Sequence, residues 1–282
     1  MKPNPLFKIM NAFIVINIIS LLSQAFYFNW AIKGNGHMRQ FLTFFLLCGL
    51  VFSCSKDETA PSEPQGRISI DFRHFAGTDS LLIGKEYYPN AAGNEYRVSY
   101  LKYFISGLSL YKNGRKIWQT KTPPISINAK YQDCLQAAFE QVPVGSYDSL
   151  SFAFGIVPEY NYHGGFEISN DDYDMYWPIN LGGGYHFMKF EGHWRDGDEF
   201  GTFAFHVGAK ENLIIHGFKL PLDVQEAQST NIIMTMNTHE WFENPYLFDL
   251  SKENGYTMGN QGQMNNLVLN GQHVFKAKLQ DF

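Results

Sequence analysis

Cysteine, basic charge and long apolar runs are all scarce in this chain, and each scarcity excludes something. Of the three cysteines in 282 residues, Cys48 and Cys54 sit in or beside an N-terminal apolar stretch, leaving Cys134 alone in the body without a partner for an internal disulfide. Cys134 reads as a small packed hydrophobe rather than a ligand. Lys and Arg number 22 against 27 Asp and Glu, but four of the basic residues (Lys2, Lys8, Lys33, Arg39) and no acidic one fall in the first 53 positions. The remainder holds 18 basic against 27 acidic residues, a net of −9. Such a body lacks the electrostatic footprint a nucleic-acid backbone needs, and anionic lipid repels it unless another device holds it there. Cations are its natural partners.

Chemical motifs are also missing. Gly182-Gly183-Gly184 has neither dinucleotide nor P-loop spacing and reads as a flexible turn. His239-Glu240-Trp241-Phe242-Glu243 lacks the second histidine of a zinc protease, and no GxSxG elbow occurs. Asp171-Asp172-Tyr173-Asp174 lacks EF-hand order and reads as a solvated loop. With no nucleophile–base or paired-carboxylate motif standing out, the chain is not expected to be an enzyme.

The apolar runs Phe13–Leu22 and Phe41–Phe52 both fall short of the roughly 20 residues that span a bilayer. The second follows Met38-Arg39 and ends at Ser53-Cys54, the order of a lipoprotein signal in which Cys54 is acylated. Residues 1–37 thus read as an over-extended start, 38–53 as the signal, 54–66 as a polar, Pro-containing tether and 67–282 as one domain. Ser55-Lys56-Asp57-Glu58 resembles the signal that sends Bacteroidetes lipoproteins to the outer surface of the outer membrane. The membrane contact is then lipid alone.

From residue 67 onward the recurring pattern is period two: Ile68-Ser-Ile70-Asp-Phe72, Leu150-Ser-Phe152-Ala-Phe154, Phe203-Ala-Phe205-His206-Val207. Asn113-Gly114 between two such runs marks a hairpin. Helical pattern is confined to Tyr131–Gln141 and Met264–Phe275. The expectation is an all-β sandwich with long loops and a short C-terminal helix.

Eight of the nine histidines lie beyond the lipobox, which makes metal binding the first chemical hypothesis for so acidic a body. The aromatic cluster over 176–194 (Tyr176, Trp177, Tyr185, Phe187, Phe190, Trp194) supports an alternative, a carbohydrate-binding or adhesion module. An open groove lined by Trp177, Tyr185 and Trp194 distinguishes it from a metal site.

Met175-Tyr176-Trp177-Pro178, Gly184-Tyr185-His186-Phe187-Met188-Lys189-Phe190-Glu191-Gly192 and Phe205-His206-Val207-Gly208 together resemble the MYWxW…GYxFxKxEG…FHxG series of MbnP-like proteins, secreted copper-binding proteins. Phe72–Gly77, Tyr88-Pro89-Asn90, Val98–Ser106 and Pro143–Tyr147 match in order, so the resemblance covers about residues 67–280. It implies a copper ion, Cu(I) or Cu(II), on two histidines, in some members completed by a kynurenine made from tryptophan, and in some a dihaem redox partner. His206 of the FHxG motif and His74 of the first strand are the expected ligands, with His186 and His193 as secondary candidates. Trp177 is the aromatic carried over for oxidation or shielding. Ile179 stands where the motif has its second tryptophan, a departure that touches the oxidation chemistry and not the ligands. Protons compete for the same lone pairs, so copper affinity is expected to fall as pH drops towards about 6.5.

Overall fold

A computed structural model describes residues 63–131 and 135–280. The chain divides into units 1–62 and 63–282, so the described residues belong to the second. The signal, Cys54 and Cys134 lie outside the described residues. Among those described, no helix is long and apolar enough to cross a membrane.

The elements run β1 (Gln65–Ala76), β2 (Asp79–Ser80), β3 (Tyr88–Pro89), β4 (Glu95–Lys112), β5 (Arg115–Gln119), β6 (Ile125–Asn128), β7 (Gln136–Pro143) and β8 (Gly145–Phe154). After a loop with two short 3-10 turns come β9 (His186–Asp196), β10 (Glu199–Gly208), β11 (Ile214–Val224), β12 (Ser229–Asn237), helices α1 (Glu240–Glu243) and α2 (Gln261–Gly271), and β13 (Phe275–Leu279). A five-stranded sheet has the order β13-β12-β1-β2 with β7 also on β1, and β1 runs parallel to β12. An eight-stranded sheet has the order β10-β9-β4-β8-β11, with β3, β5 and β6 pairing along the 18-residue β4. The fold is an all-β sandwich.

Alternation in the sequence builds the core. In β1, Ile68, Ile70, Phe72 and His74 point inward, and in β10 so do Phe203, Phe205 and Val207. Phe72 and Phe275 of the smaller sheet meet Tyr103, Phe152 and Phe154 of the larger one, mostly edge to face, at centroid distances of 5.5 to 6.4 Å. Truncating any one of these phenylalanines costs about 3–5 kcal/mol.

The β4–β5 hairpin turns at Asn113 (φ 52°) and Gly114 (φ 71°), the positive dihedrals a tight hairpin demands. The C-terminal helix stops at Gly271, and Phe275 begins a strand instead. The helix expected over Tyr131–Gln141 is corrected: residues 136–143 form β7. Ala137 and Phe139 are buried between exposed Gln136, Ala138 and Glu140, a period of two that serves β1's free edge.

Candidate metal centre

The outer face of the larger sheet carries the polar side chains that the core excludes. Because Phe205 and Val207 face inward, His206 faces outward; β9 sets Lys189 directly opposite it, and Glu191 follows on the same face. His206 is held at both backbone atoms, its N–H donating to Thr257 Oγ1 and its carbonyl accepting from the same hydroxyl, each at 2.8 Å. A register shift between Val207 and Gly208 then brings His186 opposite Gly208. The imidazoles of His186 and His206 meet edge to face, centroids 5.0 Å apart and planes at 89°.

The segment 170–185 covers this pair. A 3-10 turn, Asn170–Met175, leads into Trp177, and glycines 182–184, all at positive φ, bring the chain back so that Trp177 N–H donates to the Gly184 carbonyl at 3.0 Å. Trp177 is 3% exposed; its Nε1 donates to the Leu181 carbonyl at 2.9 Å and its ring lies 4.8 Å from that of His186. The indole lies on Gly208, where a Cβ would collide with it.

Hydrogen bonds choose the tautomers. His186 Nδ1 lies 3.3 Å from the Met175 carbonyl, an acceptor, so Nδ1 carries the proton and Nε2 the lone pair. That Nε2 is buried with no partner. Burial, with His206 and Lys189 adding to it, pushes His186 down to about 4, so the ring is neutral at physiological pH. His206 Nε2 stands 2.8 Å from Glu191 Oε1. The hydrogen bond from His206 holds the Glu191 carboxyl below its ordinary range, so the carboxylate accepts from His206 Nε2–H and Nδ1 is the ring nitrogen left for another partner.

Two imidazoles, each with one ring nitrogen hydrogen-bonded, form a donor set that suits copper or zinc. Among the described residues no three His, Cys, Asp or Glu side chains converge as a ligand set. The unsatisfied Nε2 of His186 is the feature an ion would complete, since a buried nitrogen without a partner costs roughly 1–3 kcal/mol.

The profile of the MbnP family matches residues 65–261. The chain belongs to the MbnP family. MbnP from Methylosinus trichosporium is a solved structure similar to it, at 14% identity and a TM-score of 0.41 over 64% of this chain and 78% of that one. No curated protein matches the chain. Copper is the metal associated with the MbnP family, and in this member the outward histidines of β9 and β10 are the groups suited to a metal ion.

The structure does not bring His74 together with His206, its expected partner. His74 points into the sandwich, where its Nε2 lies 3.0 Å from Tyr103 Oη. Tyr103 pairs with Met188, one residue before Lys189, so it occupies the inner face while His206, opposite Lys189, occupies the outer one. The larger sheet separates the two histidines. Burial also pushes His74 down to about 4. His193 shares the outer face but lies opposite Thr202, nearer the hairpin tip.

The aromatic cluster mostly serves packing: Tyr185, Phe187 and Phe190 are fully buried and Trp177 nearly so. Among the described residues Trp177 and Tyr185 are buried and offer no open face to a sugar, and Trp194 is half-buried. The acidic run is solvated only in part: Asp171, Tyr173 and Asp174 are exposed, while Asp172 is buried against Lys102 at 2.9 Å. Motif reading singled out His206 and Trp177, with His186 as a secondary candidate, but missed the parts played by Glu191, Lys189, Lys102 and Thr257. For Glu191 and Lys189 a signal was present: both share strand parity in the KxEG motif.

Proposed function

We propose that this protein binds one copper ion through His186 and His206 beneath Trp177, for acquisition, buffering or delivery of the metal without turnover. The observation that carries the reading is the buried, unpartnered Nε2 of His186 beside the ring of His206. Copper when bound supplies a centre that neutral imidazoles accept in either oxidation state. The chain's own residues do the rest. Met175 and Glu191 fix which nitrogens are free, Thr257 fixes the His206 backbone, and Trp177 keeps water off the pair.

In this reading the domain sits on the cell surface, tethered by lipid at Cys54; the order of residues 38–58 supports it, and it fits an acidic body that anionic lipid would otherwise repel. Titration of the metal-free protein with Cu(I) and Cu(II) against a chromogenic chelator tests the reading. One tightly held equivalent is expected, and no uptake of either ion overturns it. Mass spectrometry of the peptide holding Trp177 separates a shielding indole from an oxidised one.

A further inference from the structure

Lys102 is the least expected residue near the site: a lysine with its side chain 2% exposed, in the middle of β4. It stands opposite Lys189, which stands opposite His206, so the three form one cross-strand row over β4, β9 and β10. Two ammonium groups side by side repel unless something lies between them. Asp174 does, with Oδ1 3.4 Å from Lys102 Nζ and Oδ2 3.1 Å from Lys189 Nζ. Lys102 also donates to the Asp171 carbonyl and pairs with Asp172 at 2.9 Å, and Asp172 in turn accepts from Ser126 and Ser169 at 2.8 Å each. Every acceptor of this buried cation lies in one turn, Asn170–Met175, whose last carbonyl receives His186 Nδ1–H.

We propose that Lys102 is a positioning residue for the histidine pair, clamping the Asn170–Met175 turn so that Met175 aims His186 and the chain Asp174–Lys189–Glu191 aims His206. The second arm is continuous: Lys189 Nζ lies 3.6 Å from Glu191 Oε1, the atom that accepts from His206 Nε2 at 2.8 Å. A lysine is suited to this because its ammonium donates in three directions from one point. An apolar side chain in the same place would pack the sheet equally well but leave the turn unanchored. The inference rests on the copper reading of the pair, yet its test does not need the metal.

The test is the tautomer of each imidazole in the metal-free protein, read from nitrogen chemical shifts and long-range proton–nitrogen correlations. In the unaltered protein His186 is expected as a single Nδ1–H form and His206 as a single Nε2–H form. Lys102→Met is expected to leave a folded sandwich in which His186 exchanges between both forms, with copper affinity at least tenfold weaker. Asp174→Asn, which leaves the Lys102–Asp172 pair in place, is expected to release His206 and spare His186. A folded Lys102→Met protein with His186 unchanged overturns the proposal. Should that variant not fold, an unchanged His206 in Asp174→Asn overturns it. Failure of the unaltered protein to bind copper would remove the metal reading while the tautomers still judged the clamp.

Discussion

His186 and His206 face each other with ring centroids 5.0 Å apart and planes at 89°, although β9 and β10 are joined by a hairpin whose regular register would hold them out of line. The bulge at Val207/Gly208 makes the meeting, and Gly208 also makes room for Trp177. Two demands, on backbone and on space, thus fall on one residue beside the site.

Gly208→Ala should therefore push the indole off the pair. Overpacking of this kind costs about 1–3 kcal/mol. The expected result is a red-shifted, more quenchable tryptophan emission together with weakened metal retention, in a protein that still unfolds cooperatively in urea.

The buried ion pair sets a second expectation. Asp172→Ala leaves the Lys102 ammonium buried without its nearest counter-charge, which should lower stability by about 3–5 kcal/mol. Glu140→Gln, which breaks the exposed Arg67–Glu140 pair at 3.6 Å, should cost under about 1 kcal/mol. Urea denaturation of both variants measures the contrast.

Stability should depend on pH through three buried histidines. His74, His186 and His216 are each pushed down to about 4, chiefly by burial, from an ordinary 6.5. Between those values the unfolded chain takes up protons that the folded one refuses, so stability falls as pH drops from 6.5 towards 4 and is unaffected by these groups above about 7. Each histidine contributes on the order of 1–3 kcal/mol over that window. His216, whose Nε2 has no partner among Phe152, Phe218 and Phe275, is the cleanest to remove. His216→Phe should flatten the pH dependence of the unfolding midpoint of the metal-free protein. The same shift at His186 keeps its lone pair available down to about pH 4, so proton competition at this ligand begins well below the 6.5 expected of a free histidine.

Strand parity made much of this architecture legible. Ile68, Ile70 and Phe72 on one face of β1 already place His74 inward, and Phe203, Phe205 and Val207 place His206 outward. Parity alone thus separates the two histidines first paired on motif grounds. The partner, His186, stood only as a secondary candidate because it lies before a register shift, and a bulge leaves no mark in the hydrophobic pattern. Lys102 was hidden for a different reason: its acceptors are about seventy positions away in sequence, and a lysine in a strand reads as solvent-facing until a covering segment is laid over it. The strand β7 was misread as a helix because its two alanines and one phenylalanine are too few to fix a period.

The central claim is that β9 and β10, not β1, supply the ligands, and copper stoichiometry in three variants tests it most directly. The unaltered protein is predicted to hold one copper ion, His186→Ala and His206→Ala none, and His74→Ala one at undiminished affinity. A His186→Ala protein that binds copper as tightly as the unaltered chain, or a His74→Ala protein that folds and loses it, would contradict the account.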